Sequence, residues 1–327
     1  MRGTTVTPKS APARRGPSAG LLDVLDRQVQ FDARTRQGLS NHLPMELIAL
    51  DALGASPARL EEMLGRWAHT MLQPRADPSN FHAFLVDLRL DGIDATVARQ
   101  MVRLAESPGS EWFHSMIRLA YALEARHVAQ IASALADWTA YERVLPGEPP
   151  AGGTTPALEV LRRLHGVPLD EPRSHADLGA VTEQEGFAEA IAEAVVDETL
   201  SDLALAAAAV HVAQDDIASL HLVTGVQAAR ALAPLVDDAT RARFARRMVQ
   251  AVAAGYVGAG APELPTDAEL DVIRVRALPP WDVVRAAAVA SPDVHVTKLV
   301  HSCRIERAAT DDPLYDWLAA RQVDLLG

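Results

Sequence analysis

One lysine and two histidines near the C-terminus could form a reactive or metal-binding site, because of their residue types and their spacing. Lys298 follows His295 by three residues and precedes His301 by three. The chain has 31 Lys and Arg residues, but Lys9 and Lys298 are its two lysines, so Arg supplies most of its positive charge. Arg stays protonated, whereas a buried Lys can lose its proton and react. The cluster therefore predicts a functional site; the alternative is an ordinary surface lysine in an arginine-rich chain.

The spacing of these three residues suits a metal site on a helix. Three residues turn a helix by about 300°, so His295 and His301 flank Lys298 on one broad face. Ligands at positions i and i+3 of one helix occur in the metal sites of helical bundles. An ammonium group cannot bind a metal, but a neutral amine can react with carbon dioxide to give a carbamate, which is a carboxylate-like ligand. Such a ligand would offset part of the charge that neutral histidines leave on a divalent metal.

Two further histidines allow a functional and a structural interpretation. His42 lies at the start of an apolar helix, just before Pro44, where it could be a ligand or base that points into a bundle. It could equally be an exposed residue in a capping turn. His221 lies between Leu220 and Leu222, where a single core histidine with satisfied hydrogen bonds is the ordinary interpretation.

A fourth segment combines a histidine with an arginine and a tyrosine. His114, Arg118 and Tyr121 fall at positions i, i+4 and i+7, so they share one face of a helix that is otherwise apolar. A buried charge is costly without a partner. The three side chains either line a polar cavity or pair with acids across the bundle, and both interpretations stay open.

The elements that must position these residues are predicted to be helices. Apolar residues recur at i, i+3, i+4 and i+7, which predicts an all-α fold: a single large, bundle-like domain over residues 21–327. Residues 1–20 are rich in Thr, Pro, Ser, Arg and Gly and predict a disordered tail. The predicted helices are Met45–Leu53, Ala58–Met71, Asp94–Glu106, Glu111–Glu142 (with a possible break), Ala157–Leu164, Glu183–Glu198, Ser201–Val212, Asp215–Leu235, Thr240–Tyr256, Trp281–Ala290, Pro292–Ala309 and Pro313–Leu326.

The composition of the chain argues against several kinds of partner and site. A net charge of −12 argues against nucleic acid or an anionic membrane as a partner. One cysteine, Cys303, excludes an internal disulfide framework and a cysteine-based zinc site, and it suits a reducing cytoplasm. We find no secretory signal, no apolar run long enough to span a bilayer and no glycine-rich phosphate loop. The oligomeric state is left open.

Four short motifs in this order resemble the questin oxidase-like family: Asn41–Met45, Phe113–Leu123, Leu220–Gly225 and His295–Leu299. The resemblance covers the chain from about Asn41 to its C-terminus. It implies an iron site of four histidines and a carboxylated lysine. Carried onto this sequence, the metal ligands are His42, His114, His221, His295 and Lys298, with His301 as the alternative to His295.

The resemblance also implies an activity. This is a non-haem Fe(II)-dependent oxygenase, either a dioxygenase or Baeyer–Villiger-like. It would use dioxygen to cleave or modify a polyketide-derived aromatic or quinone ring in secondary metabolism. Arg118 would steady an anionic phenolate and Tyr121 would donate a hydrogen bond as catalytic residues, while Trp112 and Trp281 would stack on the substrate. The alternatives are a metal-free, NADPH-assisted ring oxygenase and a non-catalytic helical protein that binds a metabolite.

Overall fold

The computed structural model describes residues 16–75, 79–165 and 177–326, and it confirms the all-α prediction for them. The helices are α1 Ala19–Gln28, α2 Leu43–Ala52, α3 Pro57–Thr70, α4 Ser79–Asp91, α5 Ile93–Leu104, α6 His114–Glu124, α7 Val128–Ala140, α8 Ala157–Leu164, α9 Leu178–Thr182, α10 Phe187–Ile191, α11 Ser201–Ala213, α12 Ile217–Leu232, α13 Asp238–Gly258, α14 Asp267–Arg274, α15 Trp281–Ala290, α16 Val294–Thr310 and α17 Leu314–Gln322. Two strands, β1 Phe31–Thr35 and β2 Leu72–Pro74, form an antiparallel pair.

Helix ends that carry a local signal lie close to their predicted positions. Ser56 caps α3, because its side chain accepts a hydrogen bond from the backbone N–H of Arg59, and Pro57 occupies the first turn. Gly54 follows α2 with a φ of 83°, a conformation that glycine adopts without strain. The α8 helix has the predicted bounds.

Other helix predictions were wrong in their bounds. The predicted Glu111–Glu142 helix is two helices, α6 and α7, and it breaks where Arg126 has a φ of 49°. The predicted Glu183–Glu198 helix contains only the short α10, because the chain then leaves the helix to form a bridge between Ala194 and Thr155. The sequence did not predict α1, α4, α9 or α14.

The tail predicted over residues 1–20 falls largely outside the described residues, and so does the segment between α8 and α9. Residues 1–15 and 166–176 are not described, so the proposed disorder of residues 1–15 is untested. The tail is shorter than predicted, because α1 begins at Ala19, where Ser18 caps it. That residues 21–327 form a single domain stays a prediction.

The two strands matter because they set the position of His42. β1 continues into a tight turn, in which the backbone N–H of Asn41 donates to the carbonyl of Ala33 at 2.8 Å. The Asn41 side chain then donates to the carbonyl of Asp32 and accepts from the backbone N–H of Leu43. His42 is thereby held at the start of α2. Alternating apolar residues are scarce here, so the period-2 signal that predicts strands was absent.

Four helices, α2, α6, α12 and α16, pack against one another in the centre of the molecule. They bring together the four segments that the sequence analysis singled out. One apolar core runs through the described residues from Leu21 to Ala320, so these helices are surrounded by side chains that exclude water. Among the described residues, no helix is both long and apolar enough to cross a bilayer.

Candidate metal centre

Five side chains from the four central helices meet at one place: His42, His114, His221, His295 and Lys298, here called the histidine–lysine cluster. The ring centres of His114 and His221 are 4.3 Å apart, and that of His42 lies 4.8 Å from His114 and 5.1 Å from His295. One ring nitrogen from each of His42, His114 and His221 lies within 4.8 Å of the other two. The charge of Lys298 lowers the pKa of these three imidazoles, which places its amine close by.

His42 and His114 have fixed tautomers. The Nδ1 atom of His42 lies 2.7 Å from the carbonyl oxygen of Ser40, and that of His114 lies 2.5 Å from the carbonyl of Glu111. A carbonyl only accepts hydrogen bonds, so both Nδ1 atoms must carry the proton. The Nε2 atoms therefore carry the lone pairs in the neutral rings.

The two Nε2 atoms of His42 and His114 face each other at 3.1 Å. Burial, with the charge of Lys298 as the next cause, lowers the pKa of His114 to about 3 and holds that of His42 well below its ordinary value. Neither ring is protonated near neutral pH. Two lone pairs thus point at each other, which is unfavourable unless a cation lies between them.

The other two histidines of the cluster are anchored in a similar way. His295 Nδ1 lies 3.0 Å from the carboxylate of Asp293, which also caps α16 by accepting from the backbone N–H of His295 at 2.8 Å. His221 forms a hydrogen bond with the backbone of Ile217, one helical turn earlier. Its Nε2 is buried and has no hydrogen-bond partner among the described residues. Imidazoles that bind metals are commonly oriented by such acceptors on the other ring nitrogen.

Arg118 holds the turn before His42 in place. One guanidinium nitrogen donates to the carbonyls of Ala33 and Asn41 and to the hydroxyl of Ser40, at 2.8–3.2 Å. Asp137 lies 3.8 Å from Nε of Arg118 and offsets its charge in the interior. The arginine is 2% exposed. These contacts support the interpretation in which Arg118 pairs with an acid across the bundle. They give no support to a direct contact between Arg118 and a substrate, which stays a prediction.

A strained turn sets the position of His114. Glu111, Trp112 and Phe113 have φ angles of 52°, 54° and 68°, a left-handed run that is rare for residues other than glycine. Each such residue costs about 1–3 kcal/mol, and the conformation persists only where its surroundings enforce it. Phe113 packs directly on α12 at Gly225, where an added Cβ would lie 2.8 Å from the Phe113 ring. The absence of a side chain at Gly225 therefore allows His114 to approach His221.

Lys298 is fully buried, and its Nζ has no hydrogen-bond partner in the part of the chain that the structure describes. Burial lowers its pKa to about 7, although the charges of Glu46 and Asp293 act in the opposite direction. Near neutral pH a large fraction of the amine is uncharged. An uncharged amine is the form that reacts with carbon dioxide.

Glu46 is buried on α2 one turn after His42 and was not among the site residues predicted from the sequence. Its Oε2 accepts from the indole N–H of Trp67 at 3.1 Å, and its Oε1 has no hydrogen-bond partner among the described residues. Burial raises its pKa to about 7. The signal that could have found it is the i, i+4 spacing from His42, since a carboxylate on an apolar helix needs a reason to be buried.

His301 lies outside the cluster. Its Nε2 is 3.0 Å from the carboxylate of Glu124, and its ring centre is 5.5 Å from that of Tyr121. The Tyr121 hydroxyl donates to the backbone carbonyl of Lys298 at 3.4 Å. Within the described residues, no ring contact joins His301 to the four histidines of the cluster, so this geometry favours His295 over His301 as a ligand.

A cleft of about 420 Å³ opens beside His295. Its walls are mostly apolar and are formed by Arg66, Trp67, Pro292, Asp293, Val294 and His295. The aromatic side chain in its wall is Trp67, whereas Trp112 packs near Gly258 and Trp281 begins α15. The sequence offers no signal for Trp67, because this wall forms only when α3 meets the start of α16.

Comparison with known proteins identifies the family. A model of questin oxidase-like proteins matches residues 98–303, which is more than half of the chain. The match includes His114, His221, His295 and Lys298 and begins after His42. No curated protein gives a match to the chain. The family indicates an oxidoreductase that acts on a small molecule. The chain belongs to the questin oxidase-like family.

Proposed function

We propose that this protein is a non-haem, Fe(II)-dependent oxygenase that cleaves or modifies a polyketide-derived aromatic or quinone ring. The proposed ligands are the four histidines of the cluster together with Lys298 in its carboxylated form. Family membership supports the oxidation and the class of substrate. The geometry of the cluster supports a metal.

The observation that carries the proposal is the approach of His42 and His114. Their Nε2 atoms lie 3.1 Å apart, although both are acceptors in neutral rings. A divalent cation in contact with both lone pairs removes this conflict. The buried Nε2 of His221, which has no partner in the described part of the chain, gains one at the same time.

The charge of the donor set supports a carboxylated lysine. Four neutral imidazoles bind iron, zinc, copper or nickel but bring no negative charge. These four ligands alone offset neither of the two positive charges of a divalent cation in a buried site. A carboxylate on Lys298 would offset one of them, and the lowered pKa of this amine favours the uncharged form that the modification needs. The choice of iron rests on the family resemblance.

The residues around the cluster have separate tasks in this proposal. The cleft beside His295 would admit the substrate, and Trp67 would stack on its ring. Arg66, in the same wall, would attract a phenolate or another anionic substituent. The hydrogen bonds to the Nδ1 atoms keep the rings oriented while a substrate enters and leaves. When bound, iron would supply the one-electron chemistry that dioxygen needs to react with a closed-shell ring.

The test is the metal content of protein purified without chelators. We expect about one iron per chain, since one set of ligands is present. We also expect dioxygen to be consumed with an anthraquinone or anthrone. Loss of iron in the His221→Ala and Lys298→Arg variants would support the ligand set, because Ala cannot bind a metal and Arg cannot form a carbamate. Metal-free protein that consumes NADPH with the same compounds would instead support the NADPH-assisted alternative.

A further inference from the structure

Two buried polar groups on neighbouring helices have no hydrogen-bond partner in the described part of the chain. They are Nζ of Lys298 on α16 and Oε1 of Glu46 on α2, and both residues are 0% exposed. Burying a polar group without a partner is unfavourable, because the group loses its hydrogen bonds to water. Two such atoms on helices that pack against each other suggest that a further group belongs between them.

The two side chains interact without making an ion pair. The charge of Glu46 is the largest effect that raises the pKa of Lys298, and the charge of Lys298 lowers that of Glu46. Asp293 also faces the amine, while Arg59 and Arg66 face the carboxylate. Among the ion pairs of the described residues, none within 4.0 Å joins Lys298 to Glu46. The two groups therefore influence each other's pKa without a direct ion pair.

We propose that Glu46 is a positioning residue for a carboxylated Lys298, and that its carboxyl group donates a hydrogen bond to one oxygen of the carbamate. The other carbamate oxygen is then left for the metal. Trp67 holds Glu46 through Oε2, which leaves Oε1 for this contact. The inference rests on the carboxylated lysine of the proposed function and adds the group that holds it.

The carboxylation of Lys298 needs dissolved carbon dioxide as its co-reactant. The lone pair of the neutral Lys298 amine forms a bond to the carbon of carbon dioxide, and one C=O π pair moves onto oxygen. The nitrogen then loses a proton, which the Glu46 carboxylate takes up. The products are a carbamate with one negative charge and a neutral carboxyl group that can donate a hydrogen bond to it. No oxidant or reductant is needed.

The competing explanation is that Glu46 is only a counter-ion for an unmodified ammonium group. The two explanations differ in what a glutamine at position 46 would do. Its amide N–H can donate to a carbamate and its oxygen can accept from Trp67, but it brings no charge. A methionine of similar size provides neither the donor nor the charge.

The experiment is ¹³C NMR of the full chain equilibrated with ¹³C-labelled bicarbonate. It uses metal-free protein and protein loaded with zinc, whose filled d shell keeps the signal sharp. We expect a carbamate signal in the wild type. Glu46→Gln should keep this signal at a displaced chemical shift, and Glu46→Met should reduce it by about tenfold, with iron affinity falling about 10–100-fold. The matched control is Glu306→Gln, a buried carboxylate on α16 that pairs with Arg230 and should leave the signal unchanged.

Three results would overturn the inference: no carbamate in the wild type, an unchanged chemical shift in Glu46→Gln, or an undiminished signal in Glu46→Met. If Glu46→Met does not fold, the chemical shift of Glu46→Gln still decides. Failure of the proposed function looks different. A carbamate that depends on Glu46 in a protein purified without iron would contradict the iron oxygenase and leave the role of Glu46 intact.

Discussion

Two buried histidines on consecutive helices, His211 on α11 and His221 on α12, have opposite surroundings. Both are almost fully buried, and burial lowers the pKa of both. His211 has a partner for each ring nitrogen, with Nδ1 at 2.8 Å from the hydroxyl of Ser219 and Nε2 at 3.3 Å from the amide oxygen of Gln322. His221 has its Nε2 without a partner within the described residues.

The difference separates a structural histidine from a candidate ligand. The fold provides a hydrogen-bond partner for each ring nitrogen of His211, as expected for a polar residue retained in a core. Around His221 lie three more imidazoles and the Lys298 amine. The amine also has no hydrogen-bond partner among the described residues, and the Nε2 atoms of His42 and His114 face each other as acceptors. Three histidines that lie this close together could hold a metal ion jointly, whereas a single buried histidine could not.

The largest expected effect is the loss of metal from His221→Ala compared with His211→Ala. His221→Ala removes a ligand, so its iron affinity should fall by more than the roughly 10–100-fold typical of losing a group that only orients a ligand. His211→Ala should keep iron and lose about 1–3 kcal/mol of unfolding free energy, because its partners are left unsatisfied. Elemental analysis and urea unfolding measure the two effects. Equal loss of iron in both variants would contradict the distinction.

The next comparison is between His295 and His301, which the sequence could not separate. His295→Ala should lose iron, because His295 lies 5.1 Å from His42 between ring centres. His301→Ala should keep iron, because its Nε2 is committed to Glu124. Iron per chain after dialysis against a weak chelator measures both. The reverse result would move the fourth histidine ligand to position 301.

The cluster should also destabilise the metal-free fold in a pH-dependent way. Lys298 has a pKa of about 7 in the folded protein and its ordinary value of 10.5 in the unfolded chain. Between these values the unfolded chain binds the extra proton, so unfolding free energy should rise with pH from about 7 to about 10.5. Relative to Lys298→Met, the metal-free wild type should be a few kcal/mol less stable below pH 7 and recover above it. Urea unfolding from pH 6 to pH 10 measures the difference, and parallel curves would contradict a buried amine.

The smallest expected effect comes from the glycine that lets His114 reach the cluster. Gly225→Ala should push Phe113 away and cost about 1–3 kcal/mol of unfolding free energy. Iron affinity should fall with it, because His114 follows Phe113 directly. Gly65→Ala is the control: it lies inside α3 with no atom within 4 Å of an added Cβ in the described structure, and it should gain up to about 1 kcal/mol. Thermal unfolding compares the stability of the two variants, and iron titration compares their iron affinity. Intact iron binding in Gly225→Ala would show that the turn before His114 is not needed for the metal site.

The sequence by itself determined the helical class and most helix positions, because apolar periodicity and caps are local properties. Ser56 and Pro57 specify the start of α3 whatever packs against it. The start of α16 was less certain. The sequence predicts a start at Pro292, with Ser291 as the capping residue before it, but the helix begins after Asp293, whose carboxylate caps it and accepts a hydrogen bond from His295. Local rules predicted a helix there but could not choose between two capping residues.

The sequence also pointed to the residues of the cluster, through residue type and a family resemblance. It could not choose between His295 and His301, because both flank Lys298 on the same face of one helix. The rotation of α16 against α2 and α6 makes that choice. The left-handed turn before His114 depends on Gly225, more than a hundred residues away along the chain.

Only the tertiary structure decided which buried polar groups have hydrogen-bond partners. Lys298, Glu46 and His221 each lie on an apolar helix, as His211 does, and nothing in their local sequence tells whether a partner will be present. Hydrogen bonds between side chains on different helices are fixed by packing, and packing is a property of the whole chain. Residue types thus determined which chemistry was available, and the fold decided where it could be used.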